Sequence, residues 1–180
     1  KMKKNFFIIP LIILLLIYSV FFYFLNTKES VNIIPSNLIN KKAPKFLADS
    51  LINNKEINSS KYFNNEIIIV NFFATWCKPC RDEHKFIQLF SEENKYKIVG
   101  INYKDNPEKA LLWLKKLGNP YSEVVEDNKG KIAIDWGVYG IPETFIVNSK
   151  GIIKYRFVGA ITKKKYNKFY SIIKEIEDQW

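Results

Sequence analysis

Residues 66–84 read EIIIVNFFATWCKPCRDEH, and this stretch decides the fold class of the chain. Residues 66–73 form a continuous apolar run rich in β-branched side chains, which is typical of a central strand buried on both faces. After the pair Cys77 and Cys80, apolar residues recur at helical spacing over 86–90. The stretch therefore predicts a buried strand that leads through the two cysteines into an amphipathic helix.

The rest of the chain beyond residue 43 also alternates between strand-like and helix-like patterns. Residues 97–103 form a second apolar run, and a helix begins at Asn106-Pro107 and stops at Gly118. Further predicted elements are a short hairpin over 45–49 and 56–57, a second hairpin over 144–147 and 151–158, and an amphipathic helix over 161–177. Strands and helices in this order predict an α/β sandwich.

An uncharged run of 20 residues, 6–25, precedes these elements. As a helix it spans about 30 Å, the thickness of the hydrocarbon core of a bilayer. The alternatives are a cleaved signal peptide and a buried core helix. The apolar region of a signal peptide is shorter, and no A-x-A-like cleavage site follows here. A core helix of this length with no polar face would be unusual in so small a protein. We therefore predict four segments, namely a cytoplasmic N-terminus at 1–5, a transmembrane anchor at 6–25, a tether at 26–42 and a folded domain at 43–180.

The formal net charge of +10 is informative mainly through its distribution. Lys1, Lys3 and Lys4 precede the apolar run, whereas the charges of Lys28 and Glu29, which follow it, nearly cancel each other. The positive-inside rule then places the N-terminus in the cytoplasm and the domain outside it. In a bacterium this is a single-pass protein of the inner membrane with a periplasmic domain. The other charges are scattered, so the sequence predicts no nucleic-acid binding.

The two cysteines of the chain, Cys77 and Cys80, are suited to redox chemistry. A bridge between them closes a loop of four residues and adds little stability. At the start of a helix, unpaired N–H groups and the helix dipole stabilise a thiolate and lower the pKa of the first cysteine. We predict that Cys77 attacks a disulfide and that Cys80, one turn later, resolves the mixed disulfide. Pro79 is tolerated in the first turn and fixes the inter-cysteine turn.

Other uses of the two cysteines are weaker. A structural zinc site needs four ligands, whereas this chain offers two cysteines and His84. A haem-attachment motif requires a histidine where Arg81 stands. A copper site built from Cys77, Cys80 and His84 stays open as a less favoured alternative. We predict no bound metal and no cofactor.

The residues around the CxxC motif also resemble a known family. Residues 71–84 resemble thioredoxin-like proteins of the DsbE/CcmG type, which take part in cytochrome c biogenesis. The similarity extends to GINYKD at 100–105, GNPY at 118–121 and GVYGIPETF at 137–145, and covers roughly residues 43–159. This resemblance implies a thioredoxin fold, a three-layer α/β/α sandwich, with an N-terminal β-hairpin extension and an N-terminal transmembrane helix.

The resemblance also implies a function and partners. Such proteins are dithiol reductants that keep the CxxCH cysteines of apocytochrome c reduced, directly or through its maturation partners, so that haem can be attached. A transmembrane electron donor of the DsbD/CcdA type recharges them. A general extracytoplasmic thiol reductase of the TlpA/ResA type is the principal alternative.

Particular residues take roles from the resemblance. Pro142 is expected to be a cis-proline facing the disulfide, with the Ile141 backbone free to pair with a substrate strand. The expected substrate groove consists of Val138, Tyr139, Ile141, Thr144 and Phe145. The residues expected to tune the active site are Trp76, Lys78, Pro79, Glu83, Pro142 and Glu143.

Two acids are expected to set the direction of electron flow. Glu83 follows Cys80 by three residues and shares its helical face, and Glu143 follows Pro142. If both approach the sulfurs, their charge raises the pKa of Cys77 and favours a reductant. Asn71 stands where thioredoxins carry a buried Asp, so Glu83 is the expected acid for proton transfer.

Overall fold

The computed structural model describes residues 8–26, 36–53, 55–63, 66–93 and 96–178. The chain divides into two compact units, the second of which begins at Pro35. The first unit contains helix α1, Ile8–Asn26, whose side chains are all exposed. This helix is long and apolar enough to cross a membrane. It lies within the predicted anchor apart from its last residue, whereas the predicted cytoplasmic segment lies outside the described residues.

The second unit holds the remaining elements. In chain order they are β1 (Leu47–Asp49), β2 (Glu56–Asn58), β3 (Ile68–Phe73), α2 (Lys78–Glu93), β4 (Lys97–Tyr103), α3 (Pro107–Leu117), β5 (Glu123–Asp127), α4 (Lys131–Asp135), β6 (Glu143–Val147), β7 (Ile153–Val158) and α5 (Lys163–Asp178). A single 3₁₀ turn, Ser59–Lys61, follows β2. The buried strand, the CxxC helix, both hairpins and the last helix predicted from the sequence are thus confirmed, with ends that differ by a few residues.

A five-stranded mixed sheet with the order β5-β4-β3-β6-β7 forms the centre of this unit. Strands β3, β4 and β5 are parallel, and β6 and β7 are each antiparallel to their neighbours. Every residue of β3 is buried, because helices or loops cover both faces of the sheet. Residues of α2, α3 and α5 pack on one face, and those of α4 and the β1–β2 hairpin pack on the other. The three-layer α/β/α arrangement is therefore confirmed.

The local signals in the sequence explain several of these boundaries. The side chain of Asn106 accepts a hydrogen bond from the backbone N–H of Lys109 and caps α3. Gly118 ends that helix with φ +93°, a value that favours glycine. Strands β1 and β2 pair antiparallel, with Leu47 opposite Asn58, which confirms the predicted hairpin extension.

Strand β5 and helix α4 are absent from the sequence-based prediction. The stretch 123–127 has only two apolar residues between three acids, and α4 is only five residues long, so neither shows a clear period. Two acids of β5, Glu123 and Asp127, form hydrogen bonds with residues outside the strand. The Ser50 hydroxyl donates to Glu123, and the Asp127 carboxylate accepts from the backbone N–H groups of Ile132 and Ala133.

The end of the predicted tether packs with the second unit. The backbone N–H of Asn40 donates to the carbonyl of Ile153, and the backbone of Lys42 forms an isolated antiparallel β-bridge with that of Ile152. Leu38 and Ile39 contact the core on the face that α4 covers. Residues 36–42 therefore belong to the compact unit, whereas residues 27–35 of the predicted tether lie outside the described residues.

Candidate active site

Cys77 and Cys80 form a disulfide at the start of α2. Cys77 precedes the first helical residue, and Cys80 lies in the first turn, with 5.3 Å between their Cα atoms. The backbone N–H of Cys80 donates to the Cys77 sulfur at 3.1 Å. This is one of the unpaired donors at a helix N-terminus, and it stabilises negative charge on that sulfur when the bridge is reduced.

The turn that precedes Cys77 is held by residues after β4. The Asp105 carboxylate accepts from the backbone N–H of Thr75 at 2.6 Å and from its hydroxyl at 2.8 Å. The exposed indole of Trp76 donates to the Lys104 carbonyl at 3.1 Å. Strand β4 lies beside β3, so its end meets the start of the CxxC loop. The GINYKD stretch at 100–105 is part of the resemblance, but its role in holding this turn did not follow from the sequence.

A buried carboxyl group follows Cys80 by one helical turn. Glu83 is 2% exposed, and its two carboxylate oxygens accept from the Asn71 side-chain amide and from the Ile161 backbone N–H, each at 2.9 Å. Burial raises the pKa of Glu83 to about 7, although these two donors oppose the shift. Glu83 can therefore hold or release a proton near neutral pH.

Asn71 connects Glu83 to two further buried side chains. Its amide oxygen accepts from the Tyr121 hydroxyl at 2.8 Å, and its NH₂ group also donates to the Thr144 hydroxyl at 2.9 Å. Tyr121 was not among the predicted site residues. We expected Thr144 and Phe145 to line a substrate groove, but both side chains are buried. Thr144 contributes to the polar network instead, and Phe145 packs against Trp136 at a ring-centroid separation of 5.2 Å.

The loop before β6 approaches the reactive sulfur. The Ile141–Pro142 peptide bond is cis, and the Ile141 carbonyl oxygen lies 3.7 Å from the Cys77 sulfur. That sulfur carries no proton in the disulfide, so this is a contact rather than a hydrogen bond. Ile141 and Val138 are partly buried, whereas Tyr139 is 50% exposed. Lys78 and Pro79 are exposed in the first turn of α2.

Glu143 does not supply the free negative charge that we expected near the sulfurs. It is buried, and Arg156 Nε donates to its Oε2 at 2.7 Å. The other carboxylate oxygen accepts from the backbone N–H groups of Tyr139 and Gly140 at 3.2 and 3.3 Å. The charge of Glu143 is balanced inside the protein by Arg156. The Glu143 side chain therefore holds the loop before β6 in place and does not supply a free charge that would raise the pKa of Cys77.

His84 is committed to the packing of α2 against α3. Its Nε2 donates to the Gly118 carbonyl at 2.9 Å, and its ring lies 4.3 Å from the Trp113 ring. Burial lowers the pKa of His84. Among the described residues, no group of three His, Cys, Asp or Glu is arranged to hold a metal ion.

Comparisons with known proteins agree with this geometry. The Redoxin family matches residues 38–172. The chain is 39% identical over 166 residues to the thiol:disulfide interchange protein DsbE of Haemophilus influenzae, covering 91% of each chain. It is 36% identical over 183 residues to the DsbE protein of Escherichia coli strain K12, covering 99% of this chain and 95% of that one. The chain belongs to the redoxin family, among its DsbE proteins.

A solved structure supports the fold assignment of this DsbE-type chain. It is the thiol:disulfide interchange protein of the thioredoxin family from Chlorobium tepidum TLS, which superposes with a TM-score of 0.63 at 24% identity. The alignment covers 79% of this chain and 99% of that one. The predicted thioredoxin fold is confirmed. Together with the disulfide at the start of α2, the family makes the chain a thiol-disulfide oxidoreductase.

Proposed function

We propose that this DsbE-type protein is a dithiol reductant of the CxxCH cysteines of apocytochrome c. The observation that carries the direction of electron flow is the buried Glu83, one turn after Cys80, with a pKa near 7. When Glu83 is ionised, its charge opposes a thiolate on α2 and raises the pKa of Cys77. A less stabilised thiolate favours the disulfide form of the protein, which is the property of a reductant.

The proposed reaction is a two-electron exchange in two steps. The Cys77 thiolate attacks one sulfur of the substrate disulfide, the substrate S–S bond breaks, and the departing substrate thiolate takes a proton. Cys80 then transfers its proton to the Glu83 carboxylate and attacks the Cys77 sulfur. The mixed disulfide breaks, the second substrate sulfur leaves as a thiolate, and the Cys77–Cys80 disulfide of this structure forms.

The remaining roles in the cycle are proposals of the same kind. We place the domain in the bacterial periplasm and α1 in the inner membrane, because the helix is apolar and three lysines precede it. A transmembrane dithiol donor of the DsbD/CcdA type then reduces the Cys77–Cys80 disulfide again. The substrate is apocytochrome c itself or a partner in its maturation, and it meets the exposed surface around Trp76 and Tyr139.

A trapping experiment tests the proposed substrate. Cys80→Ser removes the resolving thiol, so the full-length protein in membranes should accumulate a mixed disulfide between Cys77 and a c-type apocytochrome or a maturation partner. Cys77→Ser is the matched control and should trap nothing. Capture of unrelated clients alone would favour a general reductase of the TlpA/ResA type. Stoichiometric copper without a trapped partner would favour the copper-binding alternative.

A redox titration tests the direction of electron flow separately from the substrate. The Cys77–Cys80 pair of the full-length protein is equilibrated with glutathione and with dithiothreitol, and the reduced fraction is measured by thiol alkylation. A reductant should have a potential well below that of a strong oxidant such as DsbA, at about −120 mV. A potential near that value would reverse the proposed direction.

A further inference from the structure

A nearly buried arginine lies on the strand next to β6. Arg156 is on β7, opposite Phe145, and its side chain is only 5% exposed. The other arginine of the chain, Arg81, is exposed on α2. A buried guanidinium is costly to desolvate unless its donors are paired with good geometry. The partners of Arg156 therefore indicate what its position is used for.

Both hydrogen-bond partners of Arg156 lead to the loop at residues 137–141. Its Nε donates to Glu143 Oε2 at 2.7 Å, and its terminal NH₂ donates to the Gly137 carbonyl at 3.2 Å. The second oxygen of Glu143 accepts from the backbone N–H groups of Tyr139 and Gly140. The planar fork of the guanidinium thus holds one end of the loop directly and its middle through Glu143.

The same guanidinium supports the most exposed side chain of this loop. The Arg156 Cζ atom lies 4.6 Å from the centre of the Tyr139 ring, within the range of a cation–π contact. Half of the Tyr139 surface is open to solvent. At the end of the loop, the Ile141 carbonyl oxygen lies 3.7 Å from the Cys77 sulfur. The loop therefore presents an exposed aromatic ring, and its last carbonyl group contacts the reactive sulfur.

We infer that Arg156 is a positioning residue that preorganises the 137–141 loop for a polypeptide substrate. It does so through the Glu143 carboxylate, the Gly137 carbonyl and the Tyr139 ring. A loop that is ordered before binding loses less conformational freedom when an extended substrate segment lies against it. A small disulfide reagent that reaches only the sulfur makes no use of the loop. The inference rests on the proposed function only for the choice of peptide.

The test separates peptide substrates from a small reagent. Reduced full-length protein in detergent is mixed with an excess of an oxidised peptide containing CxxCH or of hydroxyethyl disulfide, and each single turnover is followed, so that kcat is the limiting rate and KM the half-saturating concentration. For Arg156→Gln we expect KM for the peptide to rise about three- to tenfold, the cost of ordering one or two side chains, with kcat unchanged. The rate with hydroxyethyl disulfide should stay unchanged. Arg156→Lys retains the charge but not the fork, so its KM should lie in between.

Two controls keep the result interpretable. Lys154→Gln removes a charge from the same strand and should leave both reactions unchanged, since the Lys154 ammonium contacts Asn40 instead. Glu143→Gln/Arg156→Gln removes both charges of the buried pair together, so this double variant should fold even if the single variant does not. The inference would be overturned if the single or the double variant folds and its KM for the peptide is unchanged. It would also be overturned if the rates with the peptide and with hydroxyethyl disulfide fall equally.

The peptide assay also distinguishes this inference from the proposed function. If the unaltered protein reduces unrelated disulfide peptides as well as it reduces CxxCH peptides, the apocytochrome assignment fails. The Arg156 variants are then compared on the unrelated peptide with the same expected change in KM. If KM for the unrelated peptide is then the same in the Arg156 variants and in the unaltered protein, only the inference about the loop is overturned.

Discussion

The side-chain amide of Asn71 donates a 2.9 Å hydrogen bond to the carboxylate of Glu83, and both side chains are buried. The orientation of that amide is fixed, because its oxygen accepts from the Tyr121 hydroxyl. In this chain the acid of the site is Glu83 on α2, whereas thioredoxins carry an aspartate at the position of Asn71 on β3. A carboxyl group on α2 follows Cys80 by one turn and lies in the interior.

Glu83→Gln should make Cys77 more reactive at neutral pH. The substitution removes the negative charge that opposes a thiolate, so the pKa of Cys77 should fall. The rate of Cys77 alkylation by iodoacetamide, measured against pH on the reduced protein, reports this pKa. In the unaltered protein the profile should also show the titration of Glu83 at about 7. Glu92→Gln, an exposed residue of the same helix, is the control and should leave the profile in place.

Stability of the oxidised protein should depend on pH through Glu83. The pKa of this carboxyl is about 7 in the folded state and near 4.5 when unfolded, so the folded state binds more protons between these values. The free energy of unfolding contributed by Glu83 is therefore present below pH 4.5 and is lost as the pH rises to about 7, a change on the order of 3 kcal/mol. Urea unfolding at several pH values measures it.

The comparison with Glu83→Gln isolates this contribution. His84 has a lowered pKa, so its contribution changes in the opposite direction, with stability lost as the pH falls below its unfolded value. Both proteins contain His84, and the difference between their curves reports Glu83. A difference that does not change between pH 4.5 and 7 would contradict the raised pKa.

The strands and helices with a clear period or cap were predictable from local sequence. The strands β3 and β4 are apolar runs, and α3 has a capping Asn and a terminal Gly. The reactive pair was predictable for the same reason, since the CxxC motif and its helix are consecutive. Strand β5 and α4 were missed because they are short and rich in charge.

Contacts between distant segments were not predictable. Glu143 and Arg156 meet only because β6 and β7 pair, and Tyr121 reaches Asn71 across 50 positions of sequence. Proximity of Glu143 to Pro142 in the sequence indicated a charge near the sulfurs, whereas the fold pairs that charge with Arg156. Side-chain roles that depend on strand pairing therefore required the structure.

Asp105→Ala should loosen the turn that carries Cys77. The Asp105 carboxylate accepts from the backbone N–H and the hydroxyl of Thr75. Loss of these bonds should lower the free energy of unfolding by about 1–3 kcal/mol. Asp82→Ala, an exposed acid in the first turns of α2, should change it little. Urea unfolding followed by tryptophan fluorescence measures both, and equal values for the two variants would show that Asp105 does not hold the turn.

Tyr121→Phe should test whether the Asn71 amide depends on its partner. The substitution keeps the ring, which stacks on Phe73 at 4.9 Å, and removes only the hydroxyl. The buried amide oxygen of Asn71 then lacks its donor, which should cost about 1–3 kcal/mol of folding free energy. Tyr96→Phe removes an exposed hydroxyl bonded to Glu177 and should cost much less. If the loss of the Tyr121 hydroxyl leaves urea unfolding and the Cys77 alkylation profile unchanged, Asn71 holds Glu83 without help, and the network ends at the amide.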